Sequence, residues 1–300
     1  MNIWGIDLGG TKIECAVLDA DSLSVIERQR IPTEADKGYD HILSQIKKLI
    51  EQVAQKNGER PAKIGLATPG VLEPESQTMK NCNTTCMNGR RMQEDLEQVL
   101  GIPVRLANDA NCFALAEALM GAGKEYPDAE VVWGIIMGTG VGGGLIVNKK
   151  VINGHHGIGG EWGHNILEED GELCYCNKKG CVEMVISGPA LERAYEKLSG
   201  TPLKLNVIVE RHLSAADAHA STVIERLLEN YGKAISSVIN IVDPGLIIIG
   251  GGVGNIDLLY TEGYERIKKY IFNNGQLTTP IRKPVLGDSA GVFGAALLWN

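Results

Sequence analysis

Four side chains inside an eighteen-residue stretch could hold a metal: His164, Cys174, Cys176 and Cys181, spaced His-x9-Cys-x-Cys-x4-Cys. One imidazole and three thiolates at this spacing are the donor set of a closed, tetrahedral zinc site, which stiffens a loop and does not catalyse. The 7 cysteines are an odd number, so a disulfide framework is the weaker reading, and unligated thiols remain the alternative. Cys15 and Cys112 fall in apolar elements and read as core, whereas Cys82 and Cys86 receive no role. Glu161 and Glu183 flank the segment. His164 has two ring nitrogens, so one can bind metal while the other faces a ligand. Glu168, Glu169, Asp170 and Glu172 read as a solvated loop, and His155 and His156 as loop residues.

Three glycine clusters follow apolar runs: Asp7-Leu-Gly-Gly-Thr-Lys12, Gly138-Thr-Gly-Val-Gly-Gly-Gly144 and Gly250-Gly-Gly252. Without a Cβ, such turns let backbone N–H groups approach a phosphate as an anion-binding nest, and the competing reading of any one turn is a plain hairpin. None ends in Gly-Lys-Ser/Thr, and Gly138 onward sits in a hairpin, so neither a P-loop nor a dinucleotide fold is indicated. Asp7 stands at the end of a buried strand, where an unpaired carboxylate is costly unless it meets a cation such as Mg²⁺ carried with nucleotide phosphates. The alternative is that Asp7 caps its own turn. Asp109, in Asn108-Asp-Ala-Asn111, is either an ordinary helix N-cap or a general base that takes the proton of a hydroxyl attacking a phosphoryl group. Asn108 offers a donor and an acceptor for adjacent sugar hydroxyls.

The elements that must position these groups alternate. Ile3 to Leu18 reads as strand, glycine turn, strand, and Val131 to Val147 has the same shape. Shifting the chain by 129 positions sets Trp4-Gly5-Ile6 on Trp133-Gly134-Ile135 and Gly9 on Gly138, an internal duplication in which Ile136 replaces Asp7. Apolar residues at Ile42, Ile46, Leu49, Ile50 and Val53 predict a helix over 38–56. Lys63 to Ala67 predicts a buried strand, 92–100 a helix, 102–107 a strand and 110–120 a helix, in or near which the first domain ends. Further on, 216–242 predicts a long helix, 245–249 a strand, 258–272 a helix, 284–286 a short strand and 290–298 a closing helix. The class is α/β.

The chain has 300 residues, 44% of them hydrophobic and 22% charged, enough for about two domains at ~150 residues each. Its 29 basic and 37 acidic residues give a net charge of −8 with no basic block, which argues against nucleic acid as a partner. The longest apolar runs fall short of the ~20 residues that span a bilayer, and no basic leader precedes the first strand, so a cytoplasmic location is expected.

These residues resemble the ROK group of bacterial sugar kinases and sugar-responsive repressors. The resemblance runs from Gly5 to the closing helix and rests on Asp7-Leu-Gly-Gly-Thr11, Thr68-Pro-Gly70, Asn108-Asp-Ala-Asn111, Gly138 to Gly144, Glu161-Trp-Gly-His164 and the three cysteines ending in Glu183. It implies a duplicated actin-like, ribonuclease H-like ATPase fold, with two domains around a cleft that holds ATP and a hexose. The expected division is 1–116, joined by the closing helix 290–300, and 117–289 with a zinc loop over 164–181. By motif, Asp109 is the base on the 6-hydroxyl of the sugar. Asn108, Glu161, His164 and Glu183 hold the other hydroxyls, and His164 serves zinc and sugar together. Asp7, Gly9, Gly10, Thr11 and Lys12, with Gly138, Thr139 and Gly140, cradle phosphates and Mg²⁺, and Gly250, Gly251 and Gly252 lie near the nucleotide.

Where the family writes Cys-x-Cys-Gly, this chain has Asn177. Asn tolerates a left-handed backbone, so the zinc loop is expected to survive. The stretch 81–88 lacks an aromatic found in many members, which leaves the sugar open. The expected activity is an ATP-dependent hexokinase acting on glucose. N-acetylglucosamine, N-acetylmannosamine, fructose, mannose and allose are the alternative acceptors, and polyphosphate the alternative donor. A non-catalytic sugar sensor is the competing class, and keeping both Asp7 and Asp109 argues for turnover. A repressor needs a DNA-binding arm for which the six residues before Asp7 leave no room. The resemblance further implies a homodimer.

Overall fold

The computed structural model describes residues 2–300. Its strands and helices run β1 (Asn2–Leu8), β2 (Lys12–Asp19), β3 (Val25–Pro32), α1 (Tyr39–Asn57), β4 (Ile64–Thr68), β5 (Val71–Leu72), β6 (Met79–Lys80), α2 (Met92–Leu100), β7 (Val104–Asn108) and α3 (Asp109–Leu119). There follow β8 (Val131–Met137), β9 (Val141–Val147), β10 (Lys150–Val151), α4 (Val182–Ile186), α5 (Gly188–Ser199), α6 (Leu205–Leu213) and α7 (Ala218–Val242). The chain ends with β11 (Leu246–Gly250), α8 (Gly251–Gly254), α9 (Glu262–Lys268), β12 (Ile281–Arg282) and α10 (Ala290–Leu297). Two compact units are built from these elements. One holds the residues up to Glu125 with Gly144–Gly160 and Val285–Asn300, the other Tyr126–Gly143 with Glu161–Pro284.

The duplication is present in the topology. One five-stranded sheet has the order β3-β2-β1-β4-β7 and the other β10-β9-β8-β11-β12, so an antiparallel hairpin lies beside a central strand and parallel strands follow it in both. Strands β1 and β8 share one burial pattern, in which Asp7 and Ile136 occupy the same partly buried position.

In the first unit, Ile42, Ile46, Leu49, Ile50 and Val53 of α1 are all buried in one cluster with Trp4, Ile6 and Val17 of the sheet. Burial of each such side chain contributes about 1.5–3 kcal/mol. The opposite face of β1 and β4 receives α10. A Cβ on Gly5 would lie 2.1 Å from the Val292 carbonyl oxygen, and one on Gly65 1.8 Å from that of Ala295, so helix and sheet meet backbone to backbone. This contact explains two glycines inside strands and an alanine-rich last helix.

Two expectations need correction. No strand forms at 284–286: Pro284 has no N–H, and the N–H groups of Val285 and Leu286 donate to the buried Glu117 carboxylate at 3.0 and 2.8 Å. The last strand is instead Ile281–Arg282, parallel to β11. The helix predicted over 258–272 is a 3₁₀ turn, Asp257–Tyr260, followed by the shorter α9, with the helical path broken at Thr261. Among the described residues no helix is long and apolar enough to cross a membrane.

Candidate active site

In the first unit, β1 carries Asp7 to the glycine turn and β7 carries Asn108 and Asp109 to the start of α3. The turn closes through Gly9 N–H to Lys12 O at 3.0 Å, and the buried Thr33 hydroxyl donates to Gly9 O at 2.6 Å. Among the described residues the Asp7 carboxylate accepts no hydrogen bond and makes no ion pair, so it does not cap its own turn. Its carboxylate lies against the first turn of α10, where a Cβ on Gly291 would be 2.8 Å from Oδ2. Burial, then the negative charges of Asp109 and Glu14, push the Asp7 pKa up to about 6. Asp109 is likewise raised, by burial. Two neighbouring carboxylates with unfavourable ionisation form a site short of positive charge, and a divalent cation fits that donor set.

The helix cap belongs to Asn108 and not to Asp109: Asn108 Oδ1 accepts the Asn111 N–H at 2.8 Å. Asp109 Oδ1 accepts the Ala110 N–H at 2.8 Å. Asn108 has therefore committed an acceptor to the helix, and its amide nitrogen is the group left for a ligand.

Glu14 was not foreseen. It pairs across the hairpin with Asp7, is 2% exposed, and is held by Arg28 at 2.9 Å and Arg30 at 2.8 Å, with Ser289 at 3.3 Å. An acidic residue between Ile13 and Cys15 in an apolar strand was the available signal.

In the second unit the β8–β9 turn is closed by Gly138 N–H to Gly140 O at 2.9 Å. Glu183 Oε2 accepts the Val141 N–H at 2.9 Å, and a Cβ on Gly140 would fall 2.6 Å from the same oxygen. Glu183 thus meets the turn directly, a contact its motif did not announce. The third cluster opens α8, and Gly251, at φ +84°, leaves no room for a Cβ against Met137 O. Tyr260, also unforeseen, places its hydroxyl 2.8 Å from Gly254 O and 3.2 Å from Ile249 O, on either side of Gly250 to Gly252.

The four predicted metal ligands converge, with ligand atoms all within 4.8 Å of one another. His164 Nδ1 is 3.6 Å from Cys174 Sγ, and Cys176 Sγ is 3.5 Å from Cys181 Sγ. Zn–S and Zn–N bonds of about 2.3 and 2.0 Å put tetrahedral donors about 3.5–3.8 Å apart, so the cluster fits zinc. Asn177 is left-handed at φ 67°, the conformation that a glycine would adopt there without strain. The other ring nitrogen, Nε2, is 2.8 Å from the Tyr175 hydroxyl and 4.0 Å from Glu161 Oε2. Tyr175 is therefore the present neighbour on the side assigned to sugar. The acidic loop is more than a solvated face, since Glu168 pairs with Arg226 and Glu172 with Arg193 and Lys197.

Asp7, Asn108 and Asp109 thus belong to the first unit, and Glu161, His164, Glu183 and the cysteines to the second. The chain is 34% identical to an N-acetyl-D-glucosamine kinase of Pectobacterium atrosepticum and 35% to one of Vibrio vulnificus, each over 98% of both chains. Its structure resembles a ROK hexokinase from Thermus thermophilus, with a TM-score of 0.88 and 31% identity over 99% of this chain and 97% of that one. It also resembles a ROK family glucokinase from Streptomyces griseus in complex with glucose and AMPPNP, with a TM-score of 0.75 and 25% identity over 99% and 98%. The actin-like ATPase fold of these kinases accounts for the duplicated sheets. With the ROK family model matching residues 3–300 on top of these likenesses, the chain belongs to the ROK family.

Proposed function

We propose that this ROK-family sugar kinase transfers the γ-phosphoryl group of ATP to the 6-hydroxyl of an aldohexose, with Asp109 as general base. The observation that carries the reading is the pair of carboxylates, Asp7 and Asp109, at the ends of two strands of one sheet, both raised in pKa by desolvation. Burial increases the proton affinity of Asp109, which suits a group that must take the O6 proton as the new bond forms. In the transfer, O6 bonds to the γ-phosphorus, its proton passes to the Asp109 carboxylate, and the bond from the γ-phosphorus to the β–γ bridging oxygen breaks. The electron pair leaves with ADP. Mg²⁺, when bound, neutralises phosphate charge, and Asp7 is the residue to hold it.

Asn108, Glu161, His164 and Glu183 are assigned to the remaining hydroxyls. The Asp7 turn through Gly9, Gly10, Thr11 and Lys12, with Gly138, Thr139 and Gly140, is assigned to the phosphates, and Gly250 to Gly252 to the nucleotide. Zinc on His164, Cys174, Cys176 and Cys181 holds the loop from which Glu161 and Glu183 project.

Glucose and N-acetylglucosamine are the acceptors to try first, the second because relatives at 34–35% identity are N-acetyl-D-glucosamine kinases. The deciding experiment is a coupled assay with Mg²⁺ and ATP over glucose, N-acetylglucosamine, N-acetylmannosamine, mannose, fructose and allose, with Asp109→Asn as control. Loss of a general base lowers kcat by about 10²–10⁴ while sugar binding persists. Equal turnover in the variant would remove Asp109 from the role, and binding without turnover in the parent would make the protein a sensor.

A further inference from the structure

We propose that Trp162 is a positioning residue for the Gly138–Gly140 turn, acting with Glu183, and that the zinc loop governs nucleotide binding through these two side chains. The proposal rests on the reading of that turn as a phosphate cradle. The turn is gripped at three points, and every grip comes from the segment 161–188 that also carries the metal ligands. Gly138 O accepts the Gly188 N–H at 2.8 Å, Val141 N–H goes to Glu183 Oε2 at 2.9 Å, and Gly142 O accepts the Trp162 indole N–H at 3.0 Å.

The contacts leave no slack. A Cβ on Gly163 would lie 1.9 Å from Val141 O, and one on Gly143 2.8 Å from the Trp162 ring. Trp162 is 5% exposed and meets Trp133 of β8 edge to face, with ring centroids 5.0 Å apart, so the strand entering the turn and the residue bracing it are packed together.

The metal ligands stand next to the bracing groups. His164 lies two residues after Trp162, and Cys181 is the N-cap of α4, two residues before Glu183. Cys181 Sγ also contacts His164 O at 3.6 Å. Fixing His164 and Cys181 through one ion therefore fixes both short segments. A nest that binds phosphate gains affinity when its N–H groups are aimed before the ligand arrives, because their ordering is then not charged to binding.

The test is Trp162→Phe in zinc-replete protein, which keeps an aromatic ring against Trp133 and removes the donor to Gly142 O. Calorimetry would measure ADP, glucose and N-acetylglucosamine binding directly. The expected result is a Kd for ADP raised about five- to tenfold, the worth of one hydrogen bond, with any sugar Kd within twofold of the parent. An unchanged ADP Kd, or ADP and sugar affinities falling together with the folded fraction, would overturn the proposal.

Hydrogen exchange of the ligand-free parent provides the second measurement, and it stands even if the variant does not fold. Removing zinc should accelerate exchange of the Val141 amide by tenfold or more relative to amides in α7, and equal protection with and without zinc would refute the link. Accelerated exchange in a parent that binds no ADP would retain the brace and overturn the phosphate reading beneath the proposal.

Discussion

Replacing Asp7 by Asn should make the ligand-free protein more stable at neutral pH, although Asp7 is assigned to the reaction. The folded structure holds this carboxyl at about 6 against an ordinary 3.8, because burial and the charges of Asp109 and Glu14 disfavour ionisation. At 1.36 kcal/mol per pH unit that displacement is worth at most about 3 kcal/mol, and partial exposure of the side chain reduces it to roughly 1–3 kcal/mol. Above pH 6 the group is charged in both folded and unfolded chains, and the folded state bears the full penalty. As pH falls through 6 the native carboxyl takes up its proton and the penalty shrinks, and below 3.8 both states are protonated and none remains.

Urea unfolding of parent and Asp7→Asn from pH 8 to pH 4, in buffer without Mg²⁺, should therefore show a gap favouring the variant that is widest above pH 6 and closes towards pH 4. Mg²⁺ with ATP should raise the stability of the parent more than that of the variant, and phosphorylation by the variant should be lost. A variant no more stable than the parent at pH 8, or a gap independent of pH, would refute the charge argument.

Other substitutions test the supports. Glu117→Ala should cost about 3 kcal/mol or more by urea unfolding, because the N–H groups of Ala122, Val285 and Leu286 lose their buried acceptor. Gly5→Ala should destabilise by about 1–3 kcal/mol or more, since its methyl would meet the backbone of α10 with no side chain able to yield. Tyr260→Phe should raise the KM for ATP about fivefold with sugar KM unchanged, the hydroxyl's hydrogen bond to Gly254 O, just after the Gly250 to Gly252 turn, being lost. Removing zinc should loosen residues 161–183 and weaken sugar binding measured by calorimetry, and normal sugar affinity in metal-free protein would take the ion out of any role at the sugar.

What could be read before folding was what obeys local rules. The α1 face follows from a spacing of three and four, the paired hairpins from glycines after apolar runs, and the metal cluster from the interval between His164 and Cys181. Contacts made across the chain were not legible in the same way. Glu117 reads as one more acidic residue on a helix until the folded chain brings Val285 and Leu286 to it. The strand expected at 284–286 failed for that reason, since the apolar residues were noticed and the destination of their N–H groups was not. Thr33 and Trp162 share this character: each fastens a glycine turn 24 or 20 residues away, through one hydrogen bond that no spacing encodes. Asn108 shows the reverse case, a residue found by motif whose oxygen the structure commits to Asn111.

The two halves repeat one sheet order, with Asp7 and Ile136 in the same pattern of burial, so the scaffold by itself does not decide which half carries the carboxylate. What separates the halves is how each turn is held. In the first, Thr33 at the end of the hairpin fastens Gly9, and a network of Glu14, Arg28, Arg30 and Ser289 surrounds the strand beside Asp7. In the second, the corresponding turn is fastened by Glu183 and Trp162 from a long insertion after β10, the segment that holds the metal ligands. The first device neutralises Glu14 with two arginines and leaves the Asp7 carboxylate beside the turn without a hydrogen bond or ion pair of its own. In the second, the acidic side chain that meets the turn, Glu183, has its Oε2 bonded to the Val141 N–H. A duplicated frame can therefore divide its work, one turn carrying the carboxylate assigned to the metal and the other the backbone N–H groups assigned to phosphate, because different neighbours were built around the same glycines.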